Sequence, residues 1–236
     1  ARETGTKFEL RTYYQVKRKG KSFELQSLRD PQTPPETITP AAIVNATGAW
    51  GDITLQQLEI SSRRLFGGTK GSHFLTHNTR LRELLNEKAI YAEAEDGRLV
   101  FVLPVGTAVF VGTTDEPFEG DPEQAIATAN ELTYLIDMVN TVVPGAHIQE
   151  TDIAMHYCGV RPLPYMDAKT PTAVTRRHWI EESRVEGIPL FTLIGGKLTT
   201  NRALGEQTAD RVLAALGIPR SADTHDRIFP GAEAYP

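Results

Sequence analysis

Leu190-Phe191-Thr192-Leu193-Ile194-Gly195-Gly196-Lys197-Leu198-Thr199-Thr200 is the stretch on which the reading of this chain turns. Its first five residues form a short apolar run closed by a glycine pair, the pattern of a buried strand. A helical pattern follows to about Leu216, where Gly217 suits the position past a helix end and Pro219 cannot continue it. The stretch is therefore a strand-to-helix turn hinged on two glycines, with one cation and two hydroxyls at the helix start. Helix N-termini expose unpaired N–H groups and carry about half an elementary charge. Such a turn favours an anion, or the electron-rich edge of a cofactor, in front of it. Two glycines also let a flat ligand approach the backbone closely. The motif is short, and a plain packing turn of an α/β domain has the same letters.

A second strand-like run, Ala41-Ala42-Ile43-Val44-Asn45-Ala46, ends at Thr47-Gly48-Ala49-Trp50. A buried strand that ends at a glycine turn is where α/β sheets place ligands. The two parallel-type strands bracket a region, 61–115, that reads as a mostly antiparallel sheet. Within it Leu99–Leu103 and Ala108–Val111 flank Pro104-Val105-Gly106-Thr107 as a hairpin. Residues 7–28 read as another hairpin, with Lys17-Arg18-Lys19-Gly20-Lys21 as its solvated tip. Residues 121–143 read as one helix. Asp121 suits its N-cap, Pro122 its first position, and Ile126, Ala129, Leu132, Leu135, Ile136 and Val139 its apolar face. Ile153–Val160 and Val174–Ile180 read as further strands. The fold class expected is α+β: an antiparallel-sheet region inserted into part of a Rossmann-like α/β domain.

Bulk properties exclude some functions. A net charge of −5 gives no support to nucleic-acid binding. The single cysteine, Cys158, precludes an internal disulfide and fits a reducing compartment. No apolar run approaches the ~18 residues of a membrane-spanning helix. The six histidines show no metal-ligand spacing, so no metal is expected.

Four groups could carry chemistry. Gly112-Thr113-Thr114-Asp115 ends a strand with polar groups, which either line a pocket or simply form a turn. Gly159-Val160-Arg161-Pro162-Leu163 puts an arginine at a strand end, with Pro162 ending the ladder. Thr175-Arg176-Arg177-His178 adds basic groups, and arginines converging with Lys197 suit a small phosphorylated substrate. Each charge-assisted bond is worth about 1.5–3 kcal/mol. Lys70-Gly71-Ser72-His73 brings a histidine whose ring is able to act as a general base. Scattered surface arginines and a structural histidine remain the plain alternatives.

Taken in order, Asn45-Ala46-Thr47-Gly48-Ala49-Trp50, Lys70-Gly71-Ser72-His73, the Asp96-Gly97-Arg98 to Thr113-Thr114-Asp115 hairpin, Gly159–Leu163, Thr175-Arg176 and Gly195–Thr200 resemble the FAD-dependent glycerol-3-phosphate dehydrogenases. The blocks cover about residues 41–210. The resemblance implies the D-amino-acid-oxidase-like flavoprotein fold, and oxidation of sn-glycerol 3-phosphate to dihydroxyacetone phosphate by hydride transfer to flavin N5. Electrons would then go to a quinone, or to oxygen in oxidase relatives. It implies that Arg161 and Arg176, with the adjacent Arg177 as the alternative to Arg176, hold the substrate phosphate, that His73 is the candidate base, and that Lys197 lies near substrate and flavin. His73, Lys197 and Arg161 are thus the implied catalytic residues. Thr47, Gly48, Trp50, Gly196, Leu198, Thr199 and Thr200 are the implied FAD contacts. Asn201 stands where the family commonly has tyrosine.

The resemblance divides the chain into 1–60, the late part of an FAD-binding domain; 61–189, the substrate-binding sheet region; and 190–236, the final strand and helix with the start of a linker. The glycine fingerprint that holds the FAD pyrophosphate has no counterpart in the sequence. The chain is accordingly expected to be a middle fragment, inactive and without FAD when alone. A cytoplasmic location is expected, with room for peripheral membrane association and a homodimer. A flavin amine oxidase of the sarcosine- or glycine-oxidase kind, and a non-catalytic phosphate-binding module, are the competing readings.

Overall fold

The computed structural model describes residues 8–94, 97–166, 177–229 and 231–234. Three sheets form among the described residues. The first is an antiparallel meander of β1 (Tyr14–Lys19), β2 (Ser22–Ser27) and β3 (Glu36–Ile38). The first strand of the expected 7–28 hairpin is shifted: Tyr13 takes a left-handed φ of 62°, which breaks extension before β1, and Lys17–Lys19 belong to β1, leaving Gly20-Lys21 as the tip.

β4 (Ile43–Asn45) leads through a 3-10 turn, Gly48–Trp50, into α1 (Gly51–Gln57). The chain then builds a six-stranded antiparallel sheet from β5 (Gly68–Thr76), β6 (Ile90–Glu93), β7 (Leu99–Val105), β8 (Ala108–Gly112), β9 (Glu116–Phe118) and β10 (Ile153–Arg161). Its order is β10-β5-β8-β7-β6, with β9 beside β5. The β7–β8 hairpin is tighter than the sequence suggested. Val105 pairs with Ala108, leaving a two-residue turn, Gly106-Thr107. Pro104 stays in the strand because β6 pairs only with Leu99–Val102, so the missing N–H falls on an unpaired edge.

One face of this sheet is covered by α2 (Thr79–Leu85) and α3 (Ala129–Val142). Phe74, Val100, Val102, Val109 and Val111 meet Leu81, Leu135 and Val139 there, all fully buried. The single helix expected over 121–143 is two pieces. Asp121 caps only a 3-10 turn, Pro122–Gln124, after which Ala125 is extended. α3 starts afresh at Thr128, whose hydroxyl accepts from the Glu131 N–H while the Glu131 carboxylate accepts from the Thr128 N–H. This capping box is the stronger start. Ile126 lies in the break and is exposed, not on the helix's apolar face.

The third sheet contains β11 (Trp179–Val185), β12 (Ile188–Ile194) and β4, in the order β11-β12-β4. β12 runs antiparallel to β11 and parallel to β4, with Leu190 opposite Ile43 and Thr192 opposite Asn45. The expected boundary between 189 and 190 therefore falls inside the β11–β12 hairpin, whose ladder cannot be divided between two units. The strand expected over 174–180 begins at Trp179; residues 174–176 lie outside the described residues. α4 (Asn201–Leu216) follows, ending at Gly217 in the left-handed conformation. Leu55, Leu65, Phe66, Leu190 and Ile194 form a second core beneath this sheet. No helix among the described residues is long and apolar enough to cross a membrane.

Candidate active site

Parallel pairing of β4 with β12 puts Asn45 beside Thr192, so both glycine turns leave from the same end of the sheet. The first turn is built by Asn45, which is buried. Its Nδ2 donates to the Gly51 carbonyl at 3.1 Å, and its Oδ1 accepts from the Thr47 hydroxyl at 2.7 Å and the Thr47 N–H at 3.3 Å. Thr47 and Thr54 hydroxyls meet at 2.9 Å. In the second turn Gly195 has φ +73°, and a Cβ there would lie 2.6 Å from the Arg177 carbonyl oxygen, so no other residue fits. Thr200 closes the turn, its hydroxyl accepting from the Lys197 N–H at 3.1 Å and donating to the Lys197 carbonyl at 2.9 Å. Lys197, Leu198 and Thr199 face outward; Leu198 is 86% exposed. Lys197, Thr199 and Thr200 line an open cavity of about 510 Å³ with Arg177 and His178.

The Gly195 N–H donates to the Pro162 carbonyl at 2.9 Å, which ties this turn to the end of β10. There Arg161 points across β5. Its Nη1 donates to Asp115 Oδ1 at 2.9 Å, and its Nη2 donates to the Thr113 hydroxyl and the Thr114 carbonyl, both at 3.0 Å. Gly71 leaves the necessary space, since a Cβ there would lie 2.2 Å from Nη2. Arg161 is thus a seated group, paired with Asp115, rather than a loose surface cation. Arg176, its expected partner, lies outside the described residues, as does Thr175.

His73 occupies the same sheet face, paired with Tyr157 of β10 and Gly112 of β8. Its ring stacks near Tyr157, Phe110 and Phe101, with centroids at 5.1, 5.3 and 5.8 Å. Gly112 admits the ring, because a Cβ there would lie 2.2 Å from His73 Cδ2. Burial, reinforced by the Arg161 charge, pushes the imidazole down to about 4 from its ordinary 6.5. The ring is therefore neutral at neutral pH, the form a base requires. Its Nδ1 is buried without a hydrogen-bond partner among the described residues.

The Lys70-Gly71-Ser72-His73 block does not act as one unit. Strand alternation sends Lys70 and Ser72 to the opposite face. There Lys70 Nζ donates to Glu131 Oε2 at 2.6 Å, and the Ser72 hydroxyl to Glu131 Oε1 at 2.8 Å. Burial alone would raise Glu131, but the Lys70 ammonium and the hydrogen bonds from Thr128, Thr114 and Ser72 hold it down at about 2. Sequence reading missed Glu131. Its signal was the Thr128-x-x-Glu131 capping box inside a segment read as mid-helix. No group of His, Cys, Asp and Glu among the described residues is arranged to hold a metal.

A family model described as FAD dependent oxidoreductase matches residues 1–211. The chain belongs to this family. It is 38% identical over 208 residues to the glycerol-3-phosphate dehydrogenase of Synechocystis sp., covering 83% of this chain and 37% of that protein. It is 30% identical over 200 residues to the aerobic glycerol-3-phosphate dehydrogenase of Staphylococcus haemolyticus, covering 84% and 34%. The chain therefore spans only about a third of the length of these curated relatives. The structure of the Bacillus halodurans glycerol-3-phosphate dehydrogenase complexed with FAD superposes with a TM-score of 0.71 at 25% identity, over 90% of this chain and 40% of that one. Glycine oxidase from Geobacillus kaustophilus, at 18% identity and TM-score 0.53, shares the fold, over 89% of this chain and 50% of that one. The α+β architecture is that of this flavoprotein family.

The residues present fit the family's flavin cofactor. Leu198 and the half-exposed Trp50 offer uncovered apolar surface at the shared end of β4 and β12. The glycine turn leads at Lys197 into a 3-10 turn, Leu198–Thr200, whose first backbone N–H groups precede α4. The unpartnered Nδ1 of His73 adds a buried polar atom in need of a ligand.

Proposed function

We propose that the protein is an FAD-dependent glycerol-3-phosphate dehydrogenase, and that residues 8–229 carry its substrate face and the late part of its cofactor cradle. The reading rests above all on the Gly195 N–H to Pro162 carbonyl bond, which joins the glycine turn to the strand end holding Arg161, two strands from His73's other partner Gly112. Thr47, Gly48, Trp50, Gly196, Leu198, Thr199 and Thr200 would hold FAD. When bound, FAD would supply the acceptor for the C2 hydride, with a quinone as the onward electron acceptor.

The chain's own residues do the rest. Arg161, with Arg176, binds the substrate phosphate; the guanidinium's seat against Asp115 fixes its plane for that contact. His73, held neutral by burial and by Arg161, takes the proton from the C2 hydroxyl as the carbonyl of dihydroxyacetone phosphate forms. Lys197 and the positive end of the helix that follows it stabilise negative charge at the cofactor edge. The rings of Phe110 and Tyr157 stack beside His73 and help to half-bury its imidazole. We place the enzyme in the cytoplasm, peripheral on the membrane that holds its quinone, as a homodimer.

Substrate choice is the test. The complete gene product loaded with FAD should reduce an artificial acceptor with glycerol 3-phosphate and not with glycine or sarcosine. Turnover of the amino acids, without turnover of the phosphate ester, would make it an amine oxidase.

A further inference from the structure

We propose that Glu131, on the opposite face of the sheet from His73, is a positioning residue for Arg161 and acts through Thr114; this rests on the reading of Arg161 as the phosphate-binding arginine. Thr114 is 1% exposed and gripped from both sides. Its hydroxyl donates to Glu131 Oε1 at 2.7 Å and accepts from the Ser72 N–H at 2.8 Å. Its carbonyl accepts from Arg161 Nη2 at 3.0 Å. Thr113 and Asp115, its two neighbours, also hold the guanidinium, and the Thr69 hydroxyl of β5 accepts from Nη1 at 3.5 Å. One residue in the turn between β8 and β9 thus joins a carboxylate behind the sheet to a guanidinium in front of it.

Glu131 is suited to this because it cannot wander. Five donors converge on its carboxylate: Lys70 Nζ, the Ser72 and Thr114 hydroxyls, and the Thr128 hydroxyl and N–H. They come from β5, the β8–β9 turn and the α3 cap, so three separate elements fix it. A buried ion pair is weak ground for stability. Here its geometry leads to the turn that seats Arg161, and also to Ser72, the residue beside His73. Placement matters for a phosphate ligand because bidentate binding needs the guanidinium in one plane. A misplaced phosphate ligand weakens binding of substrate and transition state alike, so the loss falls on KM rather than kcat.

The test compares Thr114→Val, which keeps the branched shape and loses the hydroxyl, with Thr114→Ser, which keeps the hydroxyl. Both are made in the complete gene product loaded with FAD. Two quantities are read: steady-state kinetics with glycerol 3-phosphate, and the His73 titration midpoint by NMR of histidine-labelled protein, which reports how near the Arg161 charge stands. Thr114→Val should raise KM about tenfold with kcat within about twofold, the pattern of lost binding. It should also raise the His73 midpoint, while Thr114→Ser leaves both as in the parent protein. An unmoved midpoint in folded Thr114→Val overturns the proposal whatever KM does. A raised midpoint with unchanged KM upholds the positioning of Arg161 and sinks the phosphate reading, as would Arg161→Ala with unchanged KM. If Thr114→Val does not fold, the double variant Lys70→Met with Glu131→Gln is read by the same two criteria.

Discussion

Lys70 and Glu131 show how much a single carboxylate can decide. The pair is buried, at 2.6 Å, and every Glu131 oxygen has donors. Glu131→Gln leaves the Lys70 ammonium without its counter-charge, and breaking a buried pair from one side costs about 3–5 kcal/mol. Urea unfolding should show that loss, and a change under about 1 kcal/mol would mean the pair is not buried in solution. The pH dependence has the same origin. Glu131 sits at about 2 folded against an ordinary 4.5, so its contribution is full above pH 4.5 and is lost as pH falls towards 2. His73 follows the same sign over a higher range. Its folded value of about 4 lies below the ordinary 6.5, so protonation disfavours the fold, and stability falls as pH drops from 6.5 to 4. Parent protein should therefore lose part of its stability between pH 6.5 and 4, and His73→Asn should flatten that stretch of the profile. The Lys70–Glu131 contact was not legible in the sequence: Lys70 lies 61 residues away, and nothing local announces it.

The elements were legible wherever their signals were local. The β12–turn–α4 unit has the predicted order and end, because an apolar run, a glycine pair and a C-terminal glycine are all short-range signals. The 121–143 helix was misdrawn because Asp121-Pro122 and Thr128-x-x-Glu131 are both good starts, and a sequence does not say which one wins. The structure gives the helix to the capping box, backed by the core that Leu132, Leu135 and Val139 join. The consequence is measurable. Thr128→Ala should cost about 1 kcal/mol, within the usual ~0.5–2 kcal/mol range for a lost cap. Asp121→Ala, which uncaps one 3-10 turn, should stay within about 0.5 kcal/mol. Equal losses from the two would restore the longer helix.

At the scale of the molecule, two cores serve the proposed site. The six-stranded sheet and α3 present His73 and Arg161; the β4–β12 pair presents the two glycine turns; the Gly195–Pro162 hydrogen bond fastens them together. The sequence of these 236 residues contains no Gly-x-Gly-x-x-Gly turn. We therefore expect residues 1–236 alone to lose added FAD on dialysis, whereas the complete gene product keeps it. A chain of these residues that stayed yellow and turned over glycerol 3-phosphate would contradict the division of the cradle argued above. The sequence by itself determined the ordered motif blocks, both strand-to-glycine turns and the family, because those signals lie within a few neighbouring residues. Only the tertiary structure decided which face each residue of Lys70–His73 occupies, that Arg161 is seated on Asp115 and Thr114, and that Glu131 stands behind them. Alternation along a strand tells which side chains share a face. Which face meets a helix and which is left to a ligand depends on packing between segments far apart in the chain.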